Sequence, residues 1–142
     1  METKEVRLPW LRWIVIIFVL FEGVWMLCDG SRALVVGDYV TPSSGQYAGQ
    51  LGPWSKLLQA AGIEPRSTAM KSIYAGYGFI ALVTALCFAF SLRWTQWGMP
   101  LVAILGLWYL PWGTVINSLV LIVLFVFRNG VETPPMRNAR HE

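Results

Sequence analysis

Long apolar runs alternate with a single extended polar segment along this chain. Trp13 to Cys28 is apolar except for Glu22, and Asp29 to Lys71 is mixed and polar. Ser72 to Leu92 is then uncharged for 21 residues, and Trp94 to Phe127 for 34. A helix needs about 20 apolar residues to cross a bilayer, so Ser72 to Leu92 is one complete span. The 34-residue run would make a helix of about 51 Å, and Pro111-Trp112-Gly113 near its middle is a natural break. The pattern predicts an all-α membrane protein, a four-transmembrane-helix bundle with spans at about 9–28, 70–92, 97–110 and 112–127. The last two are short for full spans, and a re-entrant hairpin over 94–127 is the alternative.

Residues 29–69 are expected to form a small outer cap between the first two spans. Ala33 to Thr41 reads as a short hairpin, with Gly37-Asp38 as a two-residue turn. Gly52-Pro53 opens a short amphipathic helix that Gly62 closes, with Trp54, Leu57, Leu58 and Ala61 on one face. It either caps the bundle or lies among the headgroups. Glu64-Pro65-Arg66-Ser67-Thr68 starts the next helix. Arg128 to Glu142 is polar, with Pro134-Pro135 and three arginines, and 129–142 reads as a disordered tail.

The basic start before an apolar run also fits a secretory signal. Glu22 inside that run and the lack of a small-residue cleavage site oppose it, so a retained first span is expected. Composition agrees with the pattern: 56% of residues are hydrophobic and 13% charged, about half the charged share of a soluble domain. The net charge of +3 comes from scattered bases, which argues against a nucleic-acid partner. Lys4, Arg7, Arg12, Arg93, Arg128, Arg137 and Arg140 fall on one side of the four spans, and Arg32, Lys56, Arg66 and Lys71 on the other. Both termini are therefore expected in the cytoplasm and the cap outside, in a plasma or bacterial inner membrane.

Candidate chemistry centres on Glu22. A charge in the hydrocarbon costs roughly 2.5–3.5 kcal/mol, so the group must be compensated by donors or by protonation. Counting from the outer ends of the spans, Tyr77 and Asn117 reach the level of Glu22 from two other helices. Thr114 flanks Asn117, Tyr74 lies one turn shallower than Tyr77, and Trp25 follows Glu22 on its helix. Glu22, Trp25, Tyr74, Tyr77, Asn117 and Thr114 thus form a candidate ligand-binding set, open to the outer face. The competing expectation is a hydrogen-bonded knot that fixes helix register. Asp29, Arg32, Asp38 and Trp54 are the candidate recognition residues of the cap, although their mixed charges also suit an ordinary solvated surface.

Catalytic motifs, metal-ligand clusters and cofactor loops are missing from the sequence, and its one histidine is His141. No cofactor or metal is expected. Gly78, Ala81, Ala85 and Ala89 form a small-residue stripe suited to close helix packing, within the chain or against a second copy. The order of one span, a long outer segment and three spans resembles claudin-type tetraspan proteins. Their outer Trp-Gly-Leu-Trp stretch and cysteine pair have no counterpart here, so no residue or function carries over. Two functions fit. One is a non-catalytic protein acting by association, as an accessory subunit or homo-oligomer among membrane lipids. The other binds or transports a lipid-like or small polar ligand at the Glu22 level.

Overall fold

The computed structural model describes residues 9–126. Five helices account for its regular structure: α1 (Pro9–Val36), α2 (Pro53–Ala60), α3 (Thr68–Ala89), α4 (Thr95–Gly106) and α5 (Trp112–Val126). There is no strand among the described residues. The basic lead before Pro9 and the tail 129–142 lie outside them. Of the helices, α1 and α3 are long and apolar enough to cross a membrane, and α5 is a shorter apolar helix.

The expected hairpin does not form. α1 continues past Cys28 through Ala33-Leu34-Val35-Val36 and stops only at Gly37, whose φ of +103° is the left-handed conformation of a helix C-terminal glycine. The Gly37 N–H donates to Ala33 O at 3.0 Å. Two cations finish the end: Lys71 Nζ donates to Gly37 O at 2.5 Å and Arg32 Nη1 to Asp38 O at 3.0 Å. Positive charge is favoured there because the last carbonyls of a helix carry its negative pole. Gly-Asp after a β-branched pair suits a hairpin turn and a helix stop equally well. The helix wins because Ala33 and Tyr39 pack with Met26 and Tyr74, whereas an isolated two-stranded ribbon is marginal in stability.

The other boundaries lie close to expectation. Pro53 opens α2, and Gly62 follows its end with φ +76°. Of the predicted apolar face of α2, Trp54 is buried and Leu58 partly so, while Leu57 and Ala61 are exposed. Ser55 is buried instead, its hydroxyl donating to Gly52 O at 2.8 Å. Ser67 caps α3, accepting from the Met70 N–H at 3.2 Å, so Pro65 lies in the turn before the helix. α4 begins earlier than expected and ends at Gly106, four residues short of the predicted 110.

α1 and α3 run antiparallel and pack most extensively, α4 packs on α5, and α1–α5 and α3–α4 contacts close the ring. At one end of the α1–α3 pair, Arg12 donates to Phe88 O, to Ala89 O at 3.1 Å and to Ser91 Oγ at 2.7 Å. One side chain of α1 thereby covers the open carbonyls that terminate α3. The apolar core has two halves. Val15, Val19, Ala81, Ala85, Met99 and Val120 fill the half beside Arg12. Met26, Ala33, Tyr39, Trp54 and Tyr74 fill the other, and Tyr77 packs against both.

Candidate functional site

Glu22 lies on α1 between Val19 and Met26, one residue from each core half, and is 3% exposed. Facing it from α5 is Asn117, fully buried, whose Nδ2 donates to Oε1 and Oε2 of Glu22, each at 2.9 Å, and to Gly113 O at 2.8 Å. An amide nitrogen has two hydrogens, so three acceptors share them. Asn117 Oδ1 is buried and has no partner among the described residues.

Glycines make this approach possible. A Cβ at Gly113 would stand 2.7 Å from Glu22 Oε1 and 2.8 Å from Gly106 O. One at Gly106 would collide with Tyr77 Oη and with the Asn117 amide. The carboxyl, amide and phenol groups therefore close around the turn between α4 and α5 with no side chain intervening. Tyr77 is in this group, but its hydroxyl donates to Val102 O at 3.0 Å rather than to Glu22 as expected. Residue counting put Glu22, Tyr77 and Asn117 at one level, and of the two expected donors Asn117 meets the carboxyl while Tyr77 does not.

The remaining candidates separate. Thr114 donates to Leu107 O at 2.7 Å, satisfying a carbonyl of the α4–α5 connection. Tyr74 is 1% exposed and belongs to an aromatic cluster, with ring centroids 5.3 Å from Tyr39, 5.6 Å from Trp54 and 5.5 Å from Tyr109. Trp54 also meets Trp108 edge-on at 5.9 Å. Trp25 faces outward at 46% exposure. Glu22, Trp25, Asp29 and Arg32 follow one another on α1 at spacings of three, four and three, yet they differ in burial for a geometric reason. At 3.6 residues per turn, Asp29 is only about 20° around the helix from Glu22, whereas Trp25 and Arg32 are about 60° and 80° away. Asp29 is accordingly buried and Arg32 exposed.

In the cap the charged candidates hold the loop to the helix ends. Asp29 Oδ1 accepts from the Val40 N–H at 2.7 Å. Asp38 Oδ1 accepts from the Tyr39 N–H and from Arg66 Nε, both at 2.9 Å, and Arg66 Nη2 donates to Gly49 O at 2.9 Å. Partial burial alone would raise the Asp38 carboxyl, but Arg66, the Tyr39 amide and the charge of Lys71 outweigh it and hold it below the usual carboxylate range. A carboxyl lowered on folding contributes stability at pH above its unfolded value, and that contribution is lost as pH falls through the folded value. Protection of the Tyr39 amide from hydrogen exchange should therefore hold from neutral pH down to about 5 and fall only in the acid range. Arg66→Ala should weaken that protection at every pH while costing less than about 1 kcal/mol globally, because both side chains are nearly half exposed.

Several residues that shape the site gave a weaker signal. Gly23 and Gly30 are seven apart on α1, a spacing that keeps two small residues on one face, and both meet α3. Gly106 and Gly113, also seven apart, bracket the α4–α5 turn. Arg12, in the first turn of α1, gave no sign that it would bond Phe88 O, 76 residues on. Compared with protein families, curated proteins and solved structures, the chain matches none of them.

Proposed function

We propose that the chain is a four-span membrane protein, with α4 and α5 as its third and fourth spans and both termini in the cytoplasm, and that it works by association. Its expected home is a plasma or bacterial inner membrane. The observation that carries the reading is the closure of the Glu22 site. The intramembrane carboxyl is bonded to Asn117, 3% exposed and bounded by Gly113, so its polarity is used to join α1 to α5. The four long helices also present large apolar side chains outward, among them Phe21 on α1, Phe79 on α3, Leu101 on α4 and Val115 on α5. Around a soluble monomer such a belt would be an aggregation liability, whereas in hydrocarbon it is the ordinary outer surface. What remains for function is that outer surface and the cap, which suit a second copy or a larger membrane-protein partner.

One observation favours the second reading. Among the described residues Asn117 Oδ1 has no partner, and a small polar ligand donating to it would give the cluster a binding role. Native mass spectrometry of the protein released from nanodiscs separates the two. A discrete oligomer or a co-purified second polypeptide, without added small mass, is the expected result. A reproducible small-molecule adduct that disappears in Glu22→Gln would instead make the cluster a ligand site.

A further inference from the structure

The bundle has one long flank and one short one. At 1.5 Å per residue α1 extends about 42 Å and α3 about 33 Å, whereas α4 extends about 18 Å and the described part of α5 about 22 Å. A typical hydrocarbon core is about 30 Å thick. The shortfall of α4 lies at one end. Near Arg12 the helices are level: Arg12 bonds the last carbonyls of α3, and α4 begins six residues after α3 ends. At the opposite end α1 and α3 continue, while the α4–α5 pair turns back at residues 107–111.

What sits on that turn exposes a charge and an amide beside Leu57. α2 lies over it, with Trp54 against Trp108 and Tyr109 and with Gly52 beside Leu110. The same helix exposes Lys56 and Gln59. Trp54 packs on Tyr74, which is 15 residues from the far end of α3 and hence about 22 Å above it. In a 30 Å core the polar residues of α2 would be submerged. Trp112, the first residue of α5, is 69% exposed at the rim of this flank, where interface-seeking tryptophans gather.

We propose that the α4–α5 flank fits a locally thinned bilayer, with an apolar thickness of roughly 20–24 Å, so that its lipid partner is a short-chain or disordered acyl environment rather than a full-thickness one. The proposal rests on the membrane reading above. A step in hydrophobic height around one small bundle draws it to thin membrane regions, or to partners that present a matching step.

The test reconstitutes the full chain in phosphatidylcholine vesicles whose acyl chains run from about 12 to about 22 carbons. Thermal stability is followed in each, alongside flotation with the vesicles. The expected optimum is near about 14 carbons, with a progressive fall in longer chains. Lys56→Leu, which removes the charge from the exposed face of α2, should shift the optimum toward longer chains. Flotation at all thicknesses with a flat profile, or an optimum at about 18 carbons or longer, would overturn the proposal and leave the membrane reading standing. Failure to float with any vesicle would overturn the membrane reading itself.

Discussion

Gly78→Ala is expected to destabilise the bundle by about 3 kcal/mol, because its new methyl group has nowhere to go. A Cβ there would lie 2.7 Å from Gly23 O and 2.9 Å from Leu27 Cα, and closer still to Leu27 N. These are backbone atoms, which cannot rotate aside as a side chain can. Relief requires α1 and α3 to separate along the largest interface of the protein. Gly76→Ala is the internal control, since none of the described residues lies within 4 Å of its Cβ position. Helix propensity alone should then make it neutral or stabilising by up to about 1 kcal/mol. Thermal unfolding of both variants in one detergent measures the contrast. Equal stabilities would mean that α1 and α3 do not approach as closely as described.

Asn117→Ala should cost about 2–3 kcal/mol. Interhelical hydrogen bonds in membranes average only about 0.6 kcal/mol, because unfolded chains in the bilayer find other partners. The cost here is larger because Glu22 would remain enclosed with no donor, and an abandoned buried acid is expensive. Glu22→Gln keeps an acceptor for the Asn117 amide and offers a donor to Asn117 Oδ1, so it should cost less than about 1 kcal/mol. Replacing both residues by Leu should recover much of the Asn117→Ala loss, since two apolar groups of similar size strand no polar atom. A double-mutant cycle with Glu22→Leu and Asn117→Leu as its single changes checks this. If the two single changes simply add, Glu22 and Asn117 do not act as a pair.

Much of this arrangement was legible in the order of residues. The apolar runs Trp13 to Cys28 and Ser72 to Leu92 marked most of α1 and α3, because long apolar stretches are buried most readily as helices. The level of Glu22, Tyr77 and Asn117 followed from counting turns inward from the ends. Partner choice did not follow. Whether a phenol donates to a carboxyl or to a nearby carbonyl depends on helix rotation, which a residue count does not fix. The stop of α1 was ambiguous for a related reason: Gly37-Asp38 serves a hairpin and a helix terminus equally. Only Lys71, 34 residues away, and the packing of Tyr39 distinguish them. The small-residue stripe was also two-sided. Gly78, Ala81 and Ala85 are buried within the bundle, so they are not free to carry an association between copies.

The separation of Glu22 from Asn117, 95 residues apart, bears on how the chain is made. The acid is synthesised in the first helix and its donor in the last. Throughout elongation the first helix carries an acid that its final companion has not yet covered. A chain cut short before α5 would keep Glu22 without the Asn117 amide that bonds it, so the joint between α1 and α5 is the last of the bundle's contacts to close.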